Sequence, residues 1–174
     1  MRDNWGIAIE GQHVTLVPSR RKFVENYHNW MKDPFLLEAT ASEPLSIEEE
    51  YNMQKLWNKD PKKCTFIVLA SQKNSITKSS ELDIMAGDVN LFMNDYDDKF
   101  NAEIEIMIAE PRFRRCGFAR EALQHMIYYG TTTLKLTRFF AKIGEKNTAS
   151  IELFRRLDQL FFALFLIHCL HDGV

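Results

Sequence analysis

The sequence predicts an α/β fold in which helices flank a mixed central sheet. Three observations carry that expectation. Runs rich in β-branched and aromatic residues alternate with amphipathic periods in the order β-α-α-β-β-β-α-β-α. An Asn/Asp-rich stretch, "NDYDDKF", joins two strand-like runs and reads as a hairpin turn. The length of 174 residues, 45% of them hydrophobic, suits one domain with a sizeable core.

The first strand is "VTLVP" (Val14–Pro18), closed by its proline. Phe23, Val24, Tyr27, Trp30 and Met31 then recur at three- and four-residue spacing, marking a helix that stops before Asp33-Pro34. Ser46 and Glu49 form a capping box for a second helix, whose inner face is expected at Ile47, Tyr51, Gln54 and Leu56. "CTFIVLA" (Cys64–Ala70) reads as a buried strand, and "SQKNSITKSSE" (71–81) as a polar, mobile loop. "IMAGDVNLFM" (Ile84–Met93) and "AEIEIMIA" (Ala102–Ala109) are the two arms of the hairpin. Ala119, Ala122, Leu123, Met126, Ile127 and Gly130 trace one face of the next helix. "RFFAKIG" (Arg138–Gly144) is a further strand, and Ile151, Phe154 and Leu157 mark a last helix begun near Asn147. The nearly continuous apolar run "LFFALFLIHCL" (Leu160–Leu170) falls far short of the roughly 20 residues that span a bilayer. It reads as a buried strand or a segment capping the core.

Composition narrows the function. Lys and Arg number 22 against 24 Asp and Glu, a net charge of −2 without the basic excess of a general nucleic-acid binder. The three cysteines, Cys64, Cys116 and Cys169, show neither a C-x-x-C pair nor a Cys/His spacing, so no metal site and no disulfide framework is expected. The start "MRDNWGIAIEGQ" has no apolar run of the signal-peptide kind. A cytoplasmic or nuclear setting is therefore expected.

Against that neutral background, "PRFRRCGFAR" (Pro111–Arg120) concentrates positive charge around a glycine, between a strand and a helix. Amides at a helix start are unpaired and sit at the positive end of its dipole. Glycine lets backbone approach a ligand without a Cβ in the way. Arg114, Arg115 and Arg120 add charge, and Ala119 keeps the first turn thin, so the stretch has the parts of a phosphate cradle. An exposed basic helix start is the alternative. The P-loop pattern G-x-x-x-x-G-K-[ST] and the dinucleotide pattern G-x-G-x-x-G are both absent.

"RRCGFA" resembles the R/Q-x-x-G-x-G/A signature of the GNAT N-acetyltransferase superfamily, through Arg114, Gly117 and Ala119. "TASEPLSIEEEYNMQ", "KCTFIVLA", "GDVNLF", "EIEIMIAEP" and "AKIGEKNTASIELFRRL" are similar to the N-acetyltransferase 9-like branch of that superfamily. The resemblance implies a single GNAT domain over residues 1–174, with a core of about 14–157, that uses acetyl-CoA as donor. It implies that the end of the 102–109 strand (Met107, Ile108, Ala109) splays from the 138–144 strand and bonds the pantetheine arm. It also implies that the amides of Arg115, Cys116, Gly117, Phe118 and Ala119 hold the pyrophosphate. Asn147 matches an asparagine that contacts coenzyme A, with a helix N-cap as the alternative.

Acetyl transfer needs a neutral amine and a proton for the leaving thiolate. Glu103 and Glu105 point from one strand face, and Glu103 lies eleven residues before Arg114, the spacing of a catalytic glutamate in some histone-modifying GNAT members. Glu103 ranks first as the base and Glu105 second; two solvated strand carboxylates are the alternative. Lys142 stands where ribosomal-protein acetyltransferases carry a glutamate, and Tyr128 and Tyr129 are the nearest candidates to return a proton to the thiolate. An α-amine has a pKa of about 7.7–8.0 against about 10.4 for lysine, which suits N-termini to a site with one base. The branch resemblance points the same way, to protein N-terminal acetylation with tubulin chains as substrates. Two other readings stay open: a catalytically weak GNAT-fold protein that binds partners such as microtubules, and a small-molecule amine acetyltransferase.

The tail departs from the GNAT pattern. Asp158 stands where glycine is expected, and "DQLFFALFLIHCLHDGV" (158–174) reads as a replaced C-terminus too short for two strands and a hairpin. The C-terminal strands are expected to be incomplete, with Phe161 to Leu166 as a partial strand beside the 138–144 strand or as a helix extension over that edge.

Overall fold

Alternation along "VTLVP" places Val14 and Leu16 fully inside, while the longer apolar run from Cys64 is buried on both faces. These runs become neighbouring strands. The structure, a computed structural model, describes residues 4–72, 79–95, 97–161 and 165–170. Twelve elements follow in order: β1 (Ile9–Glu10), β2 (Val14–Pro18), α1 (Val24–Trp30), α2 (Pro34–Ala39), α3 (Ile47–Lys59), β3 (Lys63–Ala70), β4 (Met85–Phe92), β5 (Asn101–Ile108), α4 (Phe118–Thr132), β6 (Arg138–Gly144), α5 (Thr148–Phe161) and β7 (Phe165–Leu170). The expected mobile loop at 71–81 lies partly outside the described residues, at 73–78.

The strands form one seven-stranded sheet in sequence order. Neighbours from β1 to β5 pair antiparallel; β5–β6 and β6–β7 pair parallel. The sheet is mixed, as expected. On one face Phe66, Val89 and Ile104 bury against Leu123 and Met126 of α4 and Phe154 and Leu157 of α5. On the other, Ile67 and Met85 meet Phe23, and Met107 and Ala109 meet Met31 and Leu36. Fully burying one such side chain contributes about 1.5–3 kcal/mol, so both faces are firmly seated.

Three expectations for the first half of the chain need correction. A helix that the sequence did not announce, α2, begins where Asp33-Pro34 was read only as a stop. Asp33 caps it by accepting from the Phe35 amide at 2.9 Å, and Pro34 fills the first turn. The two-residue β1 is too short to leave a period. The inner face of α3 is Glu50 and Gln54, Gln54 donating to the Ser19 carbonyl at 3.0 Å, while Leu56 is 67% exposed. The Gln54 bond to the Ser19 carbonyl, between parts of the chain 35 residues apart, accounts for a polar residue on that face.

The tail forms a β-α-β unit with β6. Helix α5 continues to Phe161, and β7 occupies the slot beside β6, paired from Phe139–Phe165 to Gly144–Leu170. The strand thus starts later than the expected Phe161–Leu166, of which 162–164 lie outside the described residues. Among the described residues, β7 is the last strand of the sheet.

Candidate active site

Strands β5 and β6 pair only at Asn101–Arg138, Ala102–Phe139 and Glu103–Phe140, and diverge beyond. The gap opens a groove of about 1560 Å³ that runs from the start of α4 and α5 to the α1–α3 side of the sheet. A single small-molecule pocket spans about 300–1,000 Å³, so this one has room for two ligands at once.

At the α4 end, the chain after β5 makes a 3-10 turn (Pro111–Phe113) and then two left-handed residues, Arg115 at φ 62° and Gly117 at φ 83°. A Cβ on Gly117 would meet nothing within 4 Å, so glycine is required there by backbone conformation, not by crowding. The first α4 amides, at Phe118, Ala119 and Arg120, have no intrahelical partner, and no side chain caps that end. Arg115 and Arg120 line the groove; among the described residues neither has an ion-pair partner. These groups fit a diphosphate. Phe113 stacks on Phe118 at 5.1 Å and braces the loop.

Arg114 departs from the expected free charge. Its Nε donates to the Ile108 carbonyl at 2.9 Å and its Nη2 to the Ala109 carbonyl at 2.8 Å. The arginine clamps the loop to the end of β5, and it engages two of the carbonyls expected to meet the pantetheine arm. Cys116 is exposed, with its Sγ 3.3 Å from the Arg114 carbonyl. Met107 and Ala109 are buried against Met31 and Leu36, which fixes the strand end. Gly87 of β4 allows that fit: a Cβ there would stand 1.8 Å from the Met107 carbonyl oxygen. Asn147 also lines the groove, and its Oδ1 accepts from the Ser150 amide at 3.1 Å, the N-cap alternative.

On the α1–α3 side, Glu103 and Glu105 share one face, as read. Glu103 Oε2 accepts from Lys142 Nζ at 2.8 Å. Glu105 is exposed in the concave wall of the groove, yet the protein packed around it, then the Glu103 and Asp88 charges, push its carboxyl up, to about 7 at most. Water in the groove screens part of that effect.

Sequence reasoning missed three groups beside Glu105. Asp88 is 2% exposed, and burial pushes its carboxyl up to about 6 although Asn90 Nδ2 donates to it at 2.8 Å. Asn90 in turn accepts from Thr65 Oγ1 at 2.6 Å. Lys63 is 5% exposed, and burial draws its ammonium down to about 8. The available signal was the Asp-x-Asn spacing inside an otherwise apolar strand. Tyr128 and Tyr129 do not reach the groove: Tyr128 is 67% exposed and Tyr129 packs edge-on against Phe66 in the core. Among the described residues no group of three or more His, Cys, Asp or Glu is placed to hold a metal ion, and no helix is long and apolar enough to cross a membrane.

A strand pair that splays beside an uncapped, glycine-led helix is a distinctive arrangement, and the acetyltransferase (GNAT) domain family matches residues 13–158. The chain belongs to the GNAT family. GNAT enzymes transfer acetyl from acetyl-CoA to an amine, and this GNAT chain is an N-acetyltransferase. It is similar to an N-acetyltransferase 9-like protein of Nematostella vectensis, 51% identical over 90% of this chain and 79% of the relative. It is also similar to the human alpha/beta-tubulin-N-acetyltransferase 9, 48% identical over 90% of this chain and 77% of that protein. Among solved structures, spermidine N-acetyltransferase from Vibrio cholerae in complex with CoA and spermine superposes with a TM-score of 0.67 at 25% identity, covering 84% of this chain and 80% of that one.

Proposed function

We propose that this enzyme acetylates the α-amino groups of protein N-termini, with tubulin chains as its substrates. The observation that carries the proposal is the 48% identity to a protein named for tubulin N-acetylation, sustained over 90% of the chain. The acceptor wall supports it physically. Glu105, near 7, can take a proton from an α-ammonium of pKa about 7.7–8.0 at little cost. From a lysine ammonium the same transfer is harder by the roughly 2.5 pH units that separate the two amines, ~3–4 kcal/mol. In this reading Glu105 is the base, and Glu103 is held by Lys142.

Acetyl-CoA supplies the acetyl group as a reactive thioester. The amides of Phe118, Ala119 and Arg120, with Arg115 and Arg120 beside them, hold the diphosphate at the mouth of the groove. Met107 and Ile108 border the channel for the pantetheine arm, with the Ile108 and Ala109 carbonyls held by Arg114, and Asn147 stands across the gap. Tyr27, Trp57 and Phe92 form an aromatic wall for the acceptor's first residue. Cys116 is an exposed free cysteine, which suits a reducing cytoplasmic setting.

Coenzyme A release with three acceptors tests the proposal: a peptide with a free N-terminus, the same peptide N-blocked with one lysine, and spermidine. Faster release with the free N-terminus is expected. Preference for spermidine would favour a small-molecule enzyme, the reading that the similarity to a spermidine acetyltransferase supports. Preference for the lysine peptide would overturn the N-terminal assignment.

A further inference from the structure

Three adjacent strands bring polar side chains to one face at adjoining positions. Thr65 pairs with Asn90 and Asn90 with Glu105; Asp88 pairs with Met107 in the next row, and Lys63 with Phe92 in the row on the other side. Alternation along each strand sends Lys63, Asp88, Asn90 and Glu105 to the groove side of the sheet.

Core packing alone gives no reason for these residue types. Lysine and aspartate are almost never this buried unless they are paired. Asp88 is tied by Asn90, and Asn90 by Thr65. The Lys63 ammonium lies 3.1 Å from the centroid of Trp57 and 4.2 Å from that of Phe92. Two buried, oppositely charged groups therefore flank Glu105, the most exposed carboxylate of β5 on the groove. The groups facing Glu105 are Tyr27 from α1, Lys63 from β3, Asp88 and Asn90 from β4, Glu103 from β5 and Lys142 from β6. Glu103, paired with Lys142 at the groove surface, and buried Asp88 both oppose ionisation of Glu105, and Lys63 favours it; Lys63 and Asp88 are the two of these charges held inside the protein.

We propose that Lys63 and Asp88 are positioning residues of the acceptor subsite, forming with Glu105 one proton-accepting cluster in which the two buried charges set the pH at which Glu105 receives the acceptor's proton. The inference rests on the N-terminal-amine reading for the identity of the proton donor, and on the strand register for the cluster itself. The cluster carries two carboxylates against one ammonium, so an incoming ammonium completes its charge balance. The amine's first proton passes to Glu105 and later to water. Its second, lost as the N–C bond forms and the C–S bond breaks, goes to the departing thiolate.

The Lys63 charge favours ionised Glu105 and the Asp88 charge opposes it. Removing them should therefore act in opposite directions. The test follows the Glu105 carboxyl by carbon-13 NMR titration in the protein without acetyl-CoA, and the acid limb of kcat/KM with a free N-terminal peptide. Asp88→Asn should move both midpoints to lower pH and Lys63→Met to higher pH, each by about half a unit or more. Lys63→Arg, which keeps the charge, should stay with the wild type. Shifts of the same sign, or an unmoved Glu105 titration in both variants, would overturn the proposal, since a purely structural role predicts no opposed pair. Asp88→Asn preserves shape and decides alone if Lys63→Met does not fold. If no peptide is turned over, the N-terminal reading fails while the carboxyl titration still decides the cluster.

Discussion

Replacing Arg114 by methionine keeps the aliphatic stem and removes the guanidinium that ties the α4 loop to β5. Two hydrogen bonds are lost, at 2.9 Å to the Ile108 carbonyl and 2.8 Å to the Ala109 carbonyl. A hydrogen bond involving a charged group contributes about 1.5–3 kcal/mol, and Arg114 is half-buried, so the lower end applies. The pair together should be worth about 3 kcal/mol. In a chain of this size 1 kcal/mol shifts Tm by roughly 2–4 °C, so Arg114→Met should melt about 6–12 °C lower. Chemical denaturation gives the stability, and calorimetric titration with acetyl-CoA at low and high ionic strength gives the second readout. Affinity should keep its salt dependence in the variant, because Arg115 and Arg120 carry the exposed charge. Unchanged stability together with a lost salt dependence would show that Arg114 contacts the diphosphate, and would refute the clamp.

Three further substitutions probe the frame and the chemistry. Gly117→Ala forces an L residue to φ 83° with open space around its Cβ, so it should cost about 1–2 kcal/mol and weaken acetyl-CoA binding measured by calorimetry. Gly87→Ala drives a Cβ to 1.8 Å from the Met107 carbonyl oxygen, so β4 and β5 must part; a loss of about 3 kcal/mol or more is expected by denaturant titration. Glu105 acts as a base only when ionised, and its carboxyl lies near 7, above its ordinary 4.5, so turnover should rise as pH increases through about 7. Glu105→Gln should lower turnover and lose that limb, leaving the amine's own ionisation at about 7.7–8.0.

Strands whose side chains alternate between core and surface were the most legible parts of the chain. Val14–Pro18 and Arg138–Gly144 stand where β-branched and aromatic content put them, and the Ser46–Glu49 capping box opens α3 as read. The tail's place was legible, because an apolar run beside an open sheet edge has one obvious slot, and β7 pairs with β6 there. Legibility ended where a residue's role depends on a partner distant in sequence. Arg114 carries the charge of a phosphate ligand, and only the loop's shape reveals that it turns back to carbonyls five and six residues earlier. Lys63 and Asp88, 25 positions apart, come to flank the Asn90–Glu105 row through strand register, which no local period encodes. Gln54 was placed on the inner face of α3, but its partner there is a backbone carbonyl from before α1, and Glu50 shares that face.

The most direct measurement is mass spectrometry of tubulin incubated with acetyl-CoA and this protein, mapping each acetyl group to its nitrogen. Acetylation is expected on the α-nitrogen of the first residue, dependent on the protein and strongly reduced by Glu105→Gln. Acetyl groups confined to lysine side chains, or an unmodified N-terminus beside active turnover of spermidine, would contradict transfer to protein N-termini.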